Sequence, residues 1–160
     1  MNDLSERQCT KCRGRPSIYF RPYSGERLCA SCFTSILRER VGRTISRYDM
    51  FEFDSRIAVG VSGGKDSLSL LRILVEIEEK FPQSEIIALS IDEGVSGYRD
   101  EALELASGGC KRLGVEHRVY SFKELFGVTM DSIASKPRVL SPCSFCGVLR
   151  RRALDRKSVV

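Results

Sequence analysis

The chain has 160 residues, of which 42% are hydrophobic and 29% are charged, and its formal net charge is +5. This length suits one ordinary domain, or a small module plus part of another, and the composition excludes an intrinsically disordered chain. No apolar stretch approaches the ~18 residues of a membrane span, and the first residues lack the pattern of a signal peptide. We therefore expect a cytoplasmic protein with no membrane partner, whose seven cysteines serve metal binding or catalysis and not disulfides.

Two cysteine pairs near the N-terminus predict a zinc site. Each pair has two intervening residues, and sixteen residues separate one pair from the other, which is the spacing of a structural zinc site. The four cysteines are Cys9, Cys12, Cys29 and Cys32. Glycines and prolines between the pairs suit tight turns around a short hairpin, with strands at residues 17–20 and 27–28. Because all four tetrahedral positions are filled, we expect a structural zinc ribbon over residues 1–34 that derives much of its folding energy from the metal.

The next segment is basic and has helical periodicity. A helix is expected over residues 33–47, and most of it belongs to a basic linker over residues 35–54. Residues 1–60 contain eleven Lys or Arg against seven Asp or Glu. Two interpretations of these charges stay open, a solvated face and a surface that contacts nucleic-acid phosphates. The arginines concerned are Arg13, Arg15, Arg21, Arg38, Arg40, Arg43 and Arg47.

The most specific segment spans residues 60–67 and has the sequence GVSGGKDS. It follows an apolar run and precedes a helix-patterned stretch, an arrangement that directs backbone N–H groups towards a phosphate. It does not match the Walker A pattern. Its Ser-Gly-Gly-x-Asp-Ser pattern instead resembles the PP-loop of ATP pyrophosphatases, which cleave ATP between the α and β phosphates. The resemblance implies an ATP site made by Val61, Ser62, Gly63, Gly64, Lys65, Asp66 and Ser67.

Downstream of residue 55, strand and helix patterns alternate. Strands are expected over residues 56–61, 85–91 and 115–120, and helices over residues 65–81 and 98–113. This alternation predicts an α/β fold, a doubly wound parallel sheet, in a PP-loop domain over residues 55–160. Ligands of such sheets lie at the carboxyl ends of the strands, where Asp92 and Glu93 directly follow the second strand. Acidic residues there suit magnesium binding or water positioning beside an ATP loop, and helix caps are the alternative.

A third cysteine pair, Cys143 and Cys146, precedes three consecutive arginines at residues 150–152. No further pair follows to complete a zinc site, which favours sulfur or redox chemistry over half of a zinc knuckle. A helix N-terminus and the arginines would lower the thiol pKa and increase the thiolate fraction. Cys110 is interpreted as a buried core residue of the second helix, and the only histidine, His117, is placed on a strand with no triad partners.

Together, these motifs and the segments at residues 92–99 (DEGVSGYR) and 143–151 (CSFCGVLRR) resemble the tRNA uridine 2-thiolation enzymes of archaea and eukaryotes. The resemblance covers Cys9 to about Arg156. It implies an ATP-dependent tRNA sulfurtransferase that adenylates O2 of a uridine at position 34 or 54 and replaces that oxygen with sulfur. The implied cofactors are ATP, Mg²⁺, Zn²⁺ and a [4Fe-4S] cluster, and the implied sulfur donor is a ubiquitin-like carrier protein.

The same resemblance implies roles for individual residues. Residues 62–67 would bind the ATP phosphates, and Ser90 and Asp92 would line the adenine side. Cys143 and Cys146 would be two of the three thiolates of the cluster, although a persulfide or a transient disulfide on this pair stays an alternative. Arg150 would touch the nucleotide or the adenylated base. The implied catalytic set is Asp66, Cys143, Cys146 and Arg150.

In members of that family, the third cluster cysteine lies beyond the position of residue 160. The predicted sheet is also incomplete, because it lacks the strand that would pair beside the first one. We therefore expect the N-terminal part of a longer protein, ended by a truncation or frameshift near Arg156, that is inactive and poorly stable alone. The open sheet edge would favour a homodimer or a heterodimer. Two other functions stay open, a lysidine-type PP-loop ligase that acts on tRNA and a non-catalytic zinc-ribbon RNA-binding protein.

Overall fold

The computed structural model describes residues 8–52, 54–80, 83–97, 99–135 and 141–158. The chain forms two compact units, Met1–Met50 and Phe51–Val160. The division into a ribbon, a linker and a PP-loop domain at residues 1–34, 35–54 and 55–160 stays a prediction. Among the described residues, no helix has the length and apolar character needed to cross a membrane.

The first unit contains a hairpin and a long helix. Antiparallel strands β1 (Tyr19–Arg21) and β2 (Glu26–Leu28) form the hairpin, and helix α1 (Ala30–Arg47) follows directly. Leu28 is fully buried, and α1 packs apolar side chains against it. The helix begins three residues before the predicted start, because the periodicity used for the prediction begins only at the first apolar side chain. This core is small, as expected for a module that depends on a metal.

The second unit is a three-stranded parallel sheet with helices packed on it. Its strands are β3 (Arg56–Gly60), β4 (Glu85–Asp92) and β5 (Glu116–Ser121), in that spatial order. The helices are α2 (Lys65–Glu78), α3 (Arg99–Leu113), α4 (Phe122–Phe126), α5 (Met130–Ala134) and α6 (Pro142–Ser158). Helices α2 and α3 connect successive parallel strands, so the predicted α/β class is confirmed.

The central strand β4 is buried on both faces. Six of its eight residues are buried, which explains the continuous apolar sequence of this strand. One face carries Ile91, which packs in a core with Phe122 of α4, Met130 of α5 and Ala153 of α6. Helices α2 and α3 also contact β4. The carboxyl end of β4 is therefore surrounded by packed elements, and the side chains there have little freedom.

Several element boundaries differ from the predicted ones. Strand β3 ends at Gly60 and helix α2 ends at Glu78, both earlier than predicted, and the predicted helix end at Phe81 lies outside the described residues. The predicted start of α3 at Tyr98 also lies outside them. The third strand begins at Glu116 and not at 115, because Gly114 has φ +67° and the N–H of residue 115 bonds back to a helix carbonyl.

Two short helices, α4 and α5, were not predicted from the sequence. Each begins at a capping box, in which Ser121 pairs with Glu124 and Thr129 pairs with Ser132. This capping pattern is visible in the sequence, but helices of five residues are too short to show apolar periodicity. Both matter for the site because they hold α6 against the sheet.

Candidate functional site

The four N-terminal cysteines converge on one point. Their Sγ atoms all lie within 4.8 Å of one another, and those of Cys12 and Cys29 are 3.8 Å apart. Sulfurs at the corners of a zinc tetrahedron with ~2.3 Å bonds are separated by about 3.8 Å. Cys9 and Cys29 are buried, whereas Cys12 is exposed and Cys32 is half-buried. The donor set and its spacing therefore fit a structural zinc ion.

The electrostatics of this cluster also favour a cation. Backbone N–H groups of Cys12 and Cys29 donate to the sulfur of Cys9 and lower the pKa of Cys9 to about 6. Burial, followed by hydrogen bonds with the other thiols, raises the pKa of Cys32 to about 12. Because neighbouring thiolates repel one another, all four ionise together only around a metal ion.

The loop over residues 60–67 turns at the carboxyl end of β3. Gly63 has φ +82°, and a Cβ there would lie 2.1 Å from the carbonyl oxygen of Ala102, so only glycine fits. The hydroxyl of Ser67 donates to Gly64 O over 3.0 Å, and it accepts from the N–H of Ser62 over 3.2 Å. These bonds hold the loop at the N-terminus of α2, where the helix dipole favours an anion.

This loop forms one wall of a cavity of about 600 Å³. The other walls come from the end of β4, the start of α3 and the middle of α6. Cavities of this size hold small-molecule ligands and cofactors. Two arginines, Arg99 and Arg150, line it together with Leu89, Ile91 and Leu105. In such a lining, the apolar side chains can contact the flat face of a nucleotide base and the arginines can contact the phosphates.

The predicted ATP-site residues lie in or beside this cavity. Val61, Ser62, Gly63 and Gly64 line it, and Lys65, Asp66 and Ser67 begin the adjoining helix. The side chains of Lys65 and Asp66 pair with each other and are 87% and 90% exposed. At the end of β4, a carboxylate oxygen of Asp92 accepts the N–H of Gly94 over 2.8 Å, which closes a local turn.

Ser90 supports the loop through a hydrogen bond from β4. It is fully buried, and its hydroxyl donates to the carbonyl of Val61 over 2.6 Å. The same hydroxyl lies 2.8 Å from Nε2 of His117. Because its only proton is directed at Val61, Nε2 of His117 is the donor of the second bond. Burial lowers the pKa of His117, so its neutral form with the proton on Nε2 is favoured.

The sequence analysis found no triad partners for His117, and the structure adds a hydrogen-bond partner, Ser90. His117 is a neighbour of Ala88 in the register between β4 and β5, and this register brings its ring beside Ser90. Only the pairing of two strands reveals this contact. The Ser90–His117 pair therefore supports the loop and does not line the cavity.

Glu93 is a site residue that the sequence analysis did not single out. It is 2% exposed, and its carboxylate pairs with Arg99 and Arg150. The distance from Nε of Arg150 to the carboxylate is 2.7 Å, and Arg99 also donates to the carbonyl of Ile91. The available signal in the sequence was the pair of adjacent acidic residues that begins the segment at residues 92–99. A simple helix cap would need only one of them.

The third cysteine pair lies in the first turn of α6. Cys143 is exposed and Cys146 is half-buried. One turn later, Nη2 of Arg150 donates to the Sγ of Cys146 over 3.3 Å. Burial opposes the charge of Arg150, but Glu93 and Cys146 hold its pKa above the ordinary value. Within the described part of the chain, no third ligand atom joins the two sulfurs.

Comparisons with known proteins agree with this architecture. A family model described as a PP-loop domain matches residues 35–140, which is more than half of the chain. A second, described as the N-terminal LIM domain of the 2-thiouridine synthetase TtuA, matches residues 8–34. The chain belongs to the PP-loop domain family.

Individual relatives agree with the resemblance to tRNA 2-thiolation enzymes. The chain is 39% identical over 158 residues to the cytoplasmic tRNA 2-thiolation protein 1 of Chlamydomonas reinhardtii, covering 98% of this chain and 44% of the relative. It is 35% identical over 154 residues to the protein of that name from Danio rerio, covering 96% and 45%. The resemblance stated from the motifs is therefore confirmed.

Solved structures give the same result. The U34-tRNA thiolase NcsA from Methanococcus maripaludis with its [4Fe-4S] cluster matches with a TM-score of 0.84 and 37% identity, over 99% of this chain and 50% of that one. An NH3-dependent NAD synthetase from Campylobacter jejuni, with a TM-score of 0.55 and 17% identity over 79% of this chain and 50% of that one, shares the fold alone. The chain spans about half the length of these relatives.

Proposed function

We propose that the full-length protein is an ATP-dependent tRNA sulfurtransferase that makes 2-thiouridine in the cytoplasm. In the first step, O2 of the uridine attacks the α-phosphorus of ATP and displaces pyrophosphate. Sulfur then attacks C2 and displaces AMP, which carries the former O2. Similarity to a U34-tRNA thiolase favours position 34, with position 54 as the alternative.

One observation carries the proposal, the position of Arg150. Its side chain lines the cavity beside the glycine loop, and its guanidinium also reaches the sulfur of Cys146 over 3.3 Å. A single cation therefore connects the expected phosphate site to the expected sulfur site. A ligase that uses a nitrogen nucleophile would have no use for this connection.

The loop residues are proposed to bind ATP. Backbone N–H groups at residues 63 and 64 and at the start of α2 favour the phosphates, and Lys65 adds a charge at the same end. The carboxylates of Asp66 and Asp92 suit the Mg²⁺ that accompanies ATP. Ser90 contributes indirectly, because it holds the carbonyl of Val61 and is itself buried.

Cys143 and Cys146 are proposed to be two of three ligands of a [4Fe-4S] cluster, with the third ligand outside the described residues. Thiolates are the usual ligands of such clusters, and residues three apart on a helix share one face. When bound, the cluster supplies an iron without a protein ligand, and with it a place for the transferable sulfur. The role of Arg150 is to hold positive charge between that sulfur ligand and the nucleotide.

The first unit is proposed to bind tRNA. Residues 8–50 contain nine Lys or Arg and three Asp or Glu. The hairpin also exposes aromatic rings next to arginines: the guanidinium of Arg27 lies 5.0 Å from the ring of Phe20, and that of Arg21 lies 5.5 Å from the ring of Tyr23. Basic charge attracts the phosphates, and exposed rings can stack on unpaired bases.

Two further partners belong to the proposal. A ubiquitin-like sulfur-carrier protein would deliver the sulfur, as the sequence resemblance implies. Strands β3 and β5 are the outer strands of the described sheet, and their free edges would support a homodimer or a heterodimer.

The test is a thiolation assay with the full-length protein, reconstituted with iron and sulfide under anaerobic conditions. With ATP, sulfide and unmodified tRNA, we expect 2-thiouridine in the nucleoside digest by mass spectrometry, and none without ATP. Cys143→Ala and Cys146→Ala should each reduce the product at least 100-fold, whereas Cys110→Ala, a buried cysteine of α3, should not.

Other products would contradict the proposal. A nucleoside that gains nitrogen and needs no sulfide would identify the lysidine-type ligase. Tight tRNA binding without any release of pyrophosphate would identify a non-catalytic RNA-binding protein. Mapping the modified position distinguishes uridine 34 from uridine 54.

A further inference from the structure

Glu93 is a buried carboxylate directly after β4. Its side chain is 3% exposed, and a carboxylate is tolerated at that depth only when it is paired. Both of its oxygens are used: Oε1 accepts from Nε of Arg150 over 2.7 Å, and Oε2 pairs with Arg99. Its backbone carbonyl accepts the N–H of Met130 over 2.8 Å, so the start of α5 also holds this residue.

The two arginines around Glu93 are held to different degrees. Arg99, in the first turn of α3, is 12% exposed and also donates to the carbonyl of Ile91. Arg150, on α6, is 50% exposed. Arg99 is therefore fixed by a hydrogen bond to Ile91 as well as by its ion pair with Glu93, whereas Arg150 has Glu93 as its acidic partner. Both arginines line the cavity, together with Glu101 of α3.

A long arginine side chain has many rotamers, and an ion pair to a rigid partner selects one of them. Glu93 is held in place because it directly follows the buried strand β4 and its backbone carbonyl is bonded to α5. Without its carboxylate, Arg150 would keep only the weak acceptor at Cys146, and Arg99 would lose its charge partner.

We propose that Glu93 is a positioning residue, whose carboxylate holds the guanidinium of Arg150 where it faces both the nucleotide cavity and Cys146. Glu93 itself does not touch the reacting atoms. It acts through Arg150, which binds the phosphates of the nucleotide and the sulfur ligand from one orientation. The inference rests on the proposed function in one respect, that the cavity accepts ATP.

The test is a double-mutant cycle on nucleotide binding by the full-length protein. The ligand is a non-hydrolysable ATP analogue with a methylene group between the α and β phosphates, titrated with Mg²⁺ in a calorimeter. Because a hydrogen bond to a charged group is strong, we expect Glu93→Gln and Arg150→Gln each to weaken binding by about 10- to 100-fold. The double variant should bind no more weakly than Arg150→Gln alone, because the effect of Glu93 passes through Arg150.

A matched control removes a carboxylate from the other end of the same strand. Glu85 pairs with Arg56 over 2.8 Å, and both side chains are more than half exposed. Glu85→Gln should therefore leave the dissociation constant unchanged. If Glu93→Gln does not fold cooperatively, Glu93→Asp replaces it in the cycle. Aspartate keeps the negative charge but places it on a side chain that is one methylene shorter.

The cycle separates this inference from the proposed function. If Glu93→Gln weakens binding equally in the presence and absence of Arg150, Glu93 acts as a general structural residue and the inference is wrong. Wild-type binding by a folded Glu93→Gln variant, or no binding by the wild type, also overturns it. A coupled cycle in a protein that makes no 2-thiouridine would overturn the sulfurtransferase proposal and leave the role of Glu93 intact.

Discussion

The position of Gly63 in the loop tolerates no side chain. Its φ of +82° lies in the left-handed region, and the space that a Cβ would occupy is already filled by the backbone of Ala102. Backbone atoms cannot move aside as a flexible side chain can. The loop and the start of α3 therefore approach each other as closely as they do only because this position has no side chain.

We predict that Gly63→Ala distorts the loop and reduces nucleotide affinity by at least 10-fold, because strain and a backbone clash act together. The expected loss of folding free energy is about 2–4 kcal/mol. Urea unfolding and nucleotide titration of the full-length protein would measure both effects. Gly127→Ala is the matched control, since Gly127 also has a positive φ of +69° but nothing within 4 Å of its would-be Cβ.

Gly127→Ala should lower the free energy of unfolding only by the backbone strain, about 1 kcal/mol, and should leave nucleotide affinity unchanged. Equal effects of the two substitutions on affinity would show that the contact with Ala102 has no importance for the loop.

At the scale of elements, the register between β4 and β5 supports the nucleotide loop. Ser90 and His117 lie on adjacent strands, and their hydrogen bond orients the hydroxyl that holds the carbonyl of Val61. Since Val61 is at the start of the loop, the sheet fixes where the loop begins. The support depends on His117 donating from Nε2, which both its neutral tautomer and its cation can do.

We predict that His117 makes the protein less stable as the pH falls. Burial lowers the pKa of His117 in the folded state below its unfolded value, so the unfolded state binds more protons between these two pKa values. The contribution of neutral His117 is therefore complete above about pH 6.5 and is lost as the pH falls towards the lowered pKa. Urea unfolding between pH 5 and pH 7.5 would measure it.

The comparison is with His117→Gln, whose side-chain amide can still donate to Ser90 but does not titrate. The free energy of unfolding of the wild type should fall more steeply on acidification than that of the variant. Parallel pH profiles would mean that His117 has the same pKa in both states.

At the scale of the whole molecule, the two units carry two separate sets of thiols. The first unit contains four converging cysteines, and the second contains Cys143 and Cys146 at the start of α6. The first set fits a closed zinc site, whereas the pair on α6 is incomplete within the described residues. The two sets therefore suit different metals with different roles, one structural and one reactive.

We predict that the two metals respond independently to substitution. In full-length protein purified without oxygen, elemental analysis should give at least one zinc and four irons per chain. Cys12→Ser, at the exposed ligand of the first set, should lower the zinc content by one per chain and keep iron, and Cys143→Ala should lose iron and keep zinc. Zinc without iron in an active wild type would instead favour persulfide or disulfide chemistry on the α6 pair.

Features that depend on neighbouring residues were predictable from the sequence alone. Ligand spacing indicated the four-cysteine cluster, and the pattern of residues 60–67 indicated a glycine loop between a strand and a helix, because both are built from short segments with local geometry. The parallel sheet also followed from local alternation of strands and helices. The short helices α4 and α5 were missed, since their signals are capping residues and not periodicity.

Tertiary structure alone decided which side chains meet at the site. Glu93 and Arg150 are 57 residues apart in the chain, and Ser90 and His117 are 27 apart, so no local pattern links either pair. Their contacts depend on how α6 packs on β4 and on the register between β4 and β5. The sequence by itself determined which chemical groups are present and where the loop forms. Packing determined that the buried carboxylate of Glu93 pairs with Arg150, which lines the cavity and also contacts Cys146, because only packing can desolvate and orient charges from distant segments.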